Sequence, residues 1–341
     1  MVSFESDYIC GAHPALLKAL CRTNMDAQSG YGFDCYTAAA AEKIAAACEL
    51  PEAQVTFLSG GTMTNLIAID ALLKSYEGVV AAETGHVNVH ESGAIEHTGH
   101  KVLALPSHDG KMTAVDLKAM LEKYYADETL EHMVRPGMVY ITWPTELGTL
   151  YSKAELTAIA DLCHQYKMPL FLDGARLGYG LVSPEADLTL PEIARLVDVF
   201  YIGGTKVGAL CGEALVFTKN NQPEHFLSFI KQRGALYAKG RLCGVQFDAL
   251  FTDGLYYEIS RHAIRLAERL RQIFRDKGYG FHPETYTNQI FPVLPAAMIP
   301  SLREKVRFEL WEKLDKERTV VRFVTSWSTT EADLDYLESV L

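Results

Sequence analysis

Pro169-Leu170-Phe171-Leu172-Asp173-Gly174-Ala175-Arg176, with Val197-Asp198-Val199-Phe200-Tyr201-Ile202 and the Gly203-Gly204-Thr205-Lys206 that follows it, decides the fold. Short apolar runs closed by glycine read as central strands of a parallel sheet, covered on both faces. Such sheets place their ligands in the crevice outside the carboxyl ends of the strands. Asp173 stands at one such end and Lys206 just beyond the next, so a carboxylate and an amine are expected to share that crevice.

These are the two groups that pyridoxal phosphate takes from its host protein. A carboxylate facing the pyridine nitrogen keeps it protonated, and a lysine holds the aldehyde as a Schiff base until an amino acid displaces it. On these residues alone a plainer reading stands level with this one. Asp-Gly after a strand is a common turn, and Gly-Gly-Thr-Lys can be a surface loop.

The rest of the chain supplies the layers. Strands are predicted at 54–58, 79–82, 101–105, 138–142 and 212–217, alternating with helices at 37–49, 114–125 and 152–166 and one running on to residue 73. This alternation predicts a three-layer α/β/α domain with a mostly parallel sheet. Beyond residue 250 the pattern changes. A helix over 254–277 carries Leu255, Ile259, Ala263, Leu266, Leu270, Ile273 and Phe274 on one face. A strand at 289–294, a helix at 299–314, a strand at 319–324 and a last helix opened by Ser328-Thr329-Thr330-Glu331 complete a smaller α/β unit. Two domains are therefore expected, 1–250 and 251–341.

Composition excludes several classes of function. Over 341 residues the formal net charge is -11, and no Lys/Arg cluster forms the basic stripe that nucleic acid requires. No apolar run is long enough to span a bilayer, so no membrane partner is expected. Seven cysteines without a Cys-x-x-Cys spacing read as free thiols, and the opening residues lack a signal-peptide pattern. A cytoplasmic setting is expected.

Several further residues carry chemistry. Ser59-Gly60-Gly61-Thr62-Met63-Thr64-Asn65 opens a helix after a strand, an arrangement that aims free N–H groups at an anion; a Gly-rich turn with a Thr N-cap is the alternative. It matches neither a phosphate-binding P-loop nor a dinucleotide fingerprint. His86, His90, His97 and His100 have spacings that suit a metal, but no nearby Cys or Asp completes a ligand set, so no metal is expected. His86, at a strand end, could instead lie against a planar cofactor. Glu146 is either an acid/base group or a solvated turn carboxylate. Arg176 could pin a phosphate, hold Asp173 charged or form a structural ion pair. Arg322 interrupts an apolar strand and needs a carboxylate partner, from a substrate or from the protein.

In order, Ser6-Asp7, Tyr31-Gly32, Gly61-Thr62-x-x-Asn65, His86, Asp173-Gly-Ala-Arg176, Lys206 and Arg322-Phe-Val-Thr resemble the threonine aldolases of the β-eliminating lyase family. These are pyridoxal-phosphate enzymes of the aspartate aminotransferase-like fold, and the resemblance covers nearly the whole chain. It implies that Lys206 carries the cofactor, Asp173 faces its pyridine nitrogen and His86 stacks on its ring. It also implies that Gly61, Thr62 and Asn65 hold the phosphate, that Arg176 lies at the phenolic oxygen, and that Ser6, Tyr31 and Arg322 bind substrate. Arg241 would serve the phosphate or carboxylate region from a neighbouring subunit of a homo-oligomer, dimer or tetramer.

The implied reaction is reversible cleavage of L-threonine, L-allo-threonine or a related β-hydroxy amino acid to glycine and an aldehyde. One departure bears on its base. Where bacterial aldolases place a histidine before Asn-Gly, this chain has Glu146 before Leu147-Gly148, which leaves His86, Glu146 and a water as candidates. β-Elimination or transamination would fit the same Lys/Asp/Arg set. A non-catalytic binding protein or a nucleotide-dependent enzyme is the alternative from another class, and the missing nucleotide motifs weaken it.

Overall fold

The computed structural model describes all 341 residues. Its main sheet has seven strands in the order Gln54–Leu58, Glu213–Phe217, Val199–Gly203, Leu170–Asp173, Arg135–Thr142, Glu77–Ala82 and Val102–Leu105. Glu213–Phe217 runs antiparallel to both of its neighbours, and the other pairings are parallel. That reversal puts the first residue of the odd strand, Glu213, opposite Gly203 and Leu58. A third carboxylate thus joins Asp173 and Glu146 at the end of the sheet where ligands bind.

Strand alternation sorts the side chains between two cores. Val139, Ile141, Leu170, Leu172, Phe200 and Ile202 point to one. Met138, Tyr140, Phe171, Val199 and Tyr201 point to the other, where they meet Ile67 and Ala68 of the helix Gly61–Leu72. Asp173 has the parity of Phe171, so it faces the side that holds Tyr140, Tyr201 and that helix. Two glycines let the strand ends close up: a Cβ on Gly174 would lie 2.0 Å from the Tyr201 carbonyl oxygen, and one on Gly203 would lie 2.1 Å from the Ala175 carbonyl oxygen.

The helix Leu255–Asp276 joins the two lobes. Its Tyr256, Ile259, Ala263 and Ile264 are buried in the large core, while Leu266, Leu270, Ile273 and Phe274 are buried in a separate core with Val321, Phe323 and Leu334. Phe4 belongs to this second core, and Val2–Ser3 pairs with Val306–Arg307, so the chain's start is tied to the C-terminal lobe. No helix is long and apolar enough to cross a membrane.

The helix predicted at 299–314 is corrected. Only Ile299–Arg303 is helical; Val306–Arg307 and Glu309–Lys313 are strands, the second paired antiparallel with Arg318–Val324. Apolar and polar residues alternate from Val306 to Glu309, and Phe308 packs on Phe323 with ring centroids 4.8 Å apart. The register sets Glu309 opposite Arg322 and so carries Glu309 and Trp311 to the edge of the site.

Candidate active site

A cavity of about 510 Å³ opens at the carboxyl ends of the strands, between the main sheet and the small lobe. Asp173 lies at its floor, buried. The Tyr140 hydroxyl donates to Asp173 Oδ2 at 2.6 Å, Asn65 Nδ2 donates to the same oxygen at 3.0 Å, and the Ala175 N–H donates to Oδ1 at 3.0 Å. Burial alone would raise its pKa. The positive field of His86 and the hydrogen bonds from Tyr140, Tyr201 and Asn65 outweigh burial and hold the carboxyl below its usual range. It is therefore a fixed negative charge at neutral pH.

Lys206 faces the same cavity. Burial pushes its ammonium below the ordinary lysine value and the Arg176 guanidinium adds to that, against the opposing fields of Asp7, Asp173 and Glu213. A lowered pKa enlarges the neutral, nucleophilic fraction of the amine. Glu213 accepts from the Gly204 N–H at 3.0 Å, and burial pushes its carboxyl up to about 8.

The wall opposite is the start of the helix Gly61–Leu72. Its N-cap, Gly60, offers no side chain, and the first helical bond runs from the Thr64 N–H to the Gly60 carbonyl at 3.0 Å. The N–H groups of Gly61, Thr62 and Met63 have no helical carbonyl to meet, and the helix dipole makes that end an anion seat.

His86 begins the short helix after the strand Glu77–Ala82. Its Nδ1 lies 2.8 Å from Oε1 of the buried Glu91, which also accepts from Asn65 at 2.8 Å. Burial would lower the imidazole pKa, but the Glu91 hydrogen bond and the Asp173 charge reverse this and raise it. Glu146 Oε1 accepts from the His86 N–H at 2.8 Å and from the Thr142 hydroxyl at 2.8 Å, while its buried Oε2 has no partner. Burial raises the Glu146 pKa.

An uncapped helix end at Gly61 and Thr62, the enclosed amine of Lys206 and the charge-holding carboxylate of Asp173 around one cavity form a donor set that fits pyridoxal phosphate. No group of three or more His, Cys, Asp or Glu is arranged to hold a metal ion.

The family described as beta-eliminating lyase matches residues 3–291. The chain belongs to the beta-eliminating lyase family. A low specificity L-threonine aldolase from a Pseudomonas species is 31% identical over 335 residues, 96% of this chain and 94% of that one. A solved structure of Leishmania major threonine aldolase is 42% identical, has a TM-score of 0.96 and covers 100% of this chain and 98% of that one. The fold extends to a double mutant of Thermus thermophilus aspartate aminotransferase, 14% identical, with a TM-score of 0.69 over 100% of this chain and 92% of that one.

The cavity brings together Gly61, Thr62, His86, Glu146, Asp173, Arg176, Lys206 and Arg322. Asn65 does not line the cavity: its amide nitrogen donates to the carboxylates of Asp173 and Glu91 behind it. Ser6 is buried beside the cavity, its hydroxyl 3.5 Å from Asp7 Oδ1. Tyr31 and Arg241 do not reach the cavity of their own chain. Lys231 Nζ sits 4.9 Å from the Tyr31 ring centroid, and Arg241 donates to the carbonyls of Thr23, Asn24 and Asp26.

Sequence reading missed Asp7, Tyr140, Glu91, Glu213, Glu309 and Trp311. Tyr140 was legible from its place two residues before the end of a strand beside Asp173. Asp7 carried no signal beyond its neighbour Ser6, yet Arg176 donates to it through Nε at 2.7 Å and Nη2 at 3.0 Å.

Proposed function

We propose that this chain is a pyridoxal-phosphate-dependent aldolase that cleaves L-threonine, L-allo-threonine or a related β-hydroxy amino acid to glycine and an aldehyde. The observation that carries this reading is the enclosed Lys206 amine facing the same cavity as ionised Asp173, in a chain 42% identical to a threonine aldolase. When bound, pyridoxal phosphate supplies an electron sink for the negative charge left on Cα. Lys206 would hold it through its amine, Asp173 would keep its pyridine nitrogen protonated, His86 would cover its ring, and the N–H groups of Gly61 and Thr62 would take its phosphate.

Arg322 binds the substrate carboxylate. Glu146 takes the β-hydroxyl proton: its Oε2 is buried without a partner and burial raises its pKa, and both properties suit a carboxylate that must accept a proton. Arg176, fixed by Asp7 through Nε and Nη2, keeps Nη1 free and would serve the cofactor's phenolic oxygen. The large unit, 1–250 apart from the first residues that join the small lobe, would hold the cofactor, and the small one, 251–341, carries Arg322 to the cavity.

A homo-oligomer completes the reading. Tyr31 and Arg241 lie outside their own cavity, in a region where Met25 is 89% and Phe33 70% exposed, which supports delivery of these two side chains to a neighbouring subunit's site. All seven cysteines are free, in keeping with a reducing cytoplasm.

The test is product analysis. The loaded protein is incubated with L-threonine, and acetaldehyde plus glycine is measured against 2-oxobutanoate plus ammonia. Acetaldehyde and glycine in equal amounts are expected. The keto acid and ammonia would identify an eliminating enzyme instead.

A further inference from the structure

Two arginines line the cavity, and each already holds a carboxylate, but the two pairs differ in how freely that carboxylate can leave. Asp7, on Arg176, has a wholly buried side chain and also accepts from Asn288 Nδ2 at 2.9 Å. It has no route to water. Glu309, on Arg322, keeps 42% of its side chain exposed and stands on a strand that borders the cavity mouth.

Arg322 does not depend on Glu309 for its aim. Its Nη1 donates to buried Gln289 Oε1 at 3.0 Å, and its guanidinium lies 5.3 Å from the Trp311 ring centroid. Trp311 is held in turn edge-on to Phe291, with centroids 5.2 Å apart. The arginine's Nε–H is buried with no partner. A buried guanidinium with an unfilled donor and one carboxylate that can exchange into solvent is built to trade that carboxylate for another.

We propose that Glu309 occupies the seat of the substrate carboxylate on Arg322 and leaves it when the amino acid binds. Affinity for the substrate is then a difference between two carboxylates competing for one guanidinium. The exchange keeps the charge around Arg322 constant while Glu309 regains its hydration. Glu309 thereby sets the concentration range in which the enzyme responds to amino acids, without touching the reacting atoms. This inference rests on the assignment of Arg322 to the substrate carboxylate made above.

The test is Glu309→Gln in the pyridoxal-phosphate-loaded enzyme. Glutamine keeps the length and an acceptor, and the position is half-exposed, so the fold is retained. Calorimetric titration with glycine, which has the carboxylate, is set beside titration with 2-aminoethanol, which lacks it. Glycine is expected to bind about fivefold tighter, the factor that ~1 kcal/mol, the upper range for a partly exposed ion pair, converts to. Binding of 2-aminoethanol is expected to stay as in the parent, and the KM for threonine to fall by a similar factor, with the gain in KM rather than kcat.

Glycine affinity that is equal or weaker in the variant would overturn the proposal, since Glu309 would then be aiming Arg322. Equal tightening of both ligands would overturn it as well, because the carboxylate would not be the cause. A parent protein that neither binds glycine nor cleaves threonine removes the functional reading and this inference with it. A parent that does both, with an unchanged variant, removes the inference alone.

Discussion

Removing one hydroxyl, in Tyr140→Phe, tests whether the charge on Asp173 is maintained by the hydrogen bonds around it. The ring stays: Tyr140 packs edge-on to Phe171 with centroids 5.7 Å apart, and phenylalanine keeps that contact. What is lost is the 2.6 Å donation to Asp173 Oδ2, which leaves Asn65 at 3.0 Å on that oxygen. A hydrogen bond to a buried charged group contributes about 1.5–3 kcal/mol, so the variant should be less stable by that amount at pH 7.

The pH dependence has a definite sign. The folded pKa of Asp173 lies below its unfolded value, so the stability it contributes is present above the unfolded value and is lost as pH falls through the folded one. Loss of the Tyr140 donor moves the folded pKa up toward the unfolded one. The deficit of the variant is therefore full at neutral pH and narrows on acidification, and loss of cofactor on acidification begins at a higher pH than in the parent. Urea unfolding at a series of pH values, followed by fluorescence, measures the first effect, and cofactor absorbance measures the second. A variant with the parent's urea midpoint at pH 7 would refute the reasoning.

Three other changes give separable outcomes. Glu146→Gln should lower kcat for threonine cleavage by about 10² or more while the cofactor stays bound, the usual scale for loss of a positioned base; turnover at the parent rate removes Glu146 from the reaction. Glu91→Gln removes the carboxylate that raises the His86 pKa above 6.5, so an NMR titration should show that pKa falling. Stability from His86 is present below the unfolded pKa and is lost as pH rises through the folded one, so the variant should lose stability at mildly acidic pH and little at pH 9. Gly174→Ala should cost about 3 kcal/mol or more in denaturant unfolding, because its Cβ would overlap the Tyr201 carbonyl oxygen at 2.0 Å.

The large domain was legible because most of its strands are short and largely apolar and several are followed by a functional or glycine-rich turn. Asp173 and Lys206 could be placed at one edge of a sheet without coordinates, since parallel strands put their carboxyl ends together. Of the supporting residues, only Tyr140 had a legible place. Glu91 and Asp7 act through contacts to His86 and Arg176 that no local pattern announces. Glu213 reaches the site only because its strand runs against the others. The segment after Arg303 was misread because its apolar residues fit a helical period as well as an alternating one, and the pairing with Arg318–Val324 decides between them. That misreading hid Glu309 and Trp311, the residues that frame Arg322. Tyr31 and Arg241 show the opposite limit, since the resemblance assigns them to the site while their own chain holds them away from it.

Every role assigned here, from Asp173 at the floor to Arg322 at the roof, is set by the position of one amine. Borohydride reduction of the pyridoxal-phosphate-loaded protein, followed by mass mapping of its peptides, reports which lysine carries the cofactor. The account predicts a pyridoxyl adduct on Lys206 and none in Lys206→Ala. An adduct on another lysine, or one that persists in that variant, would contradict it.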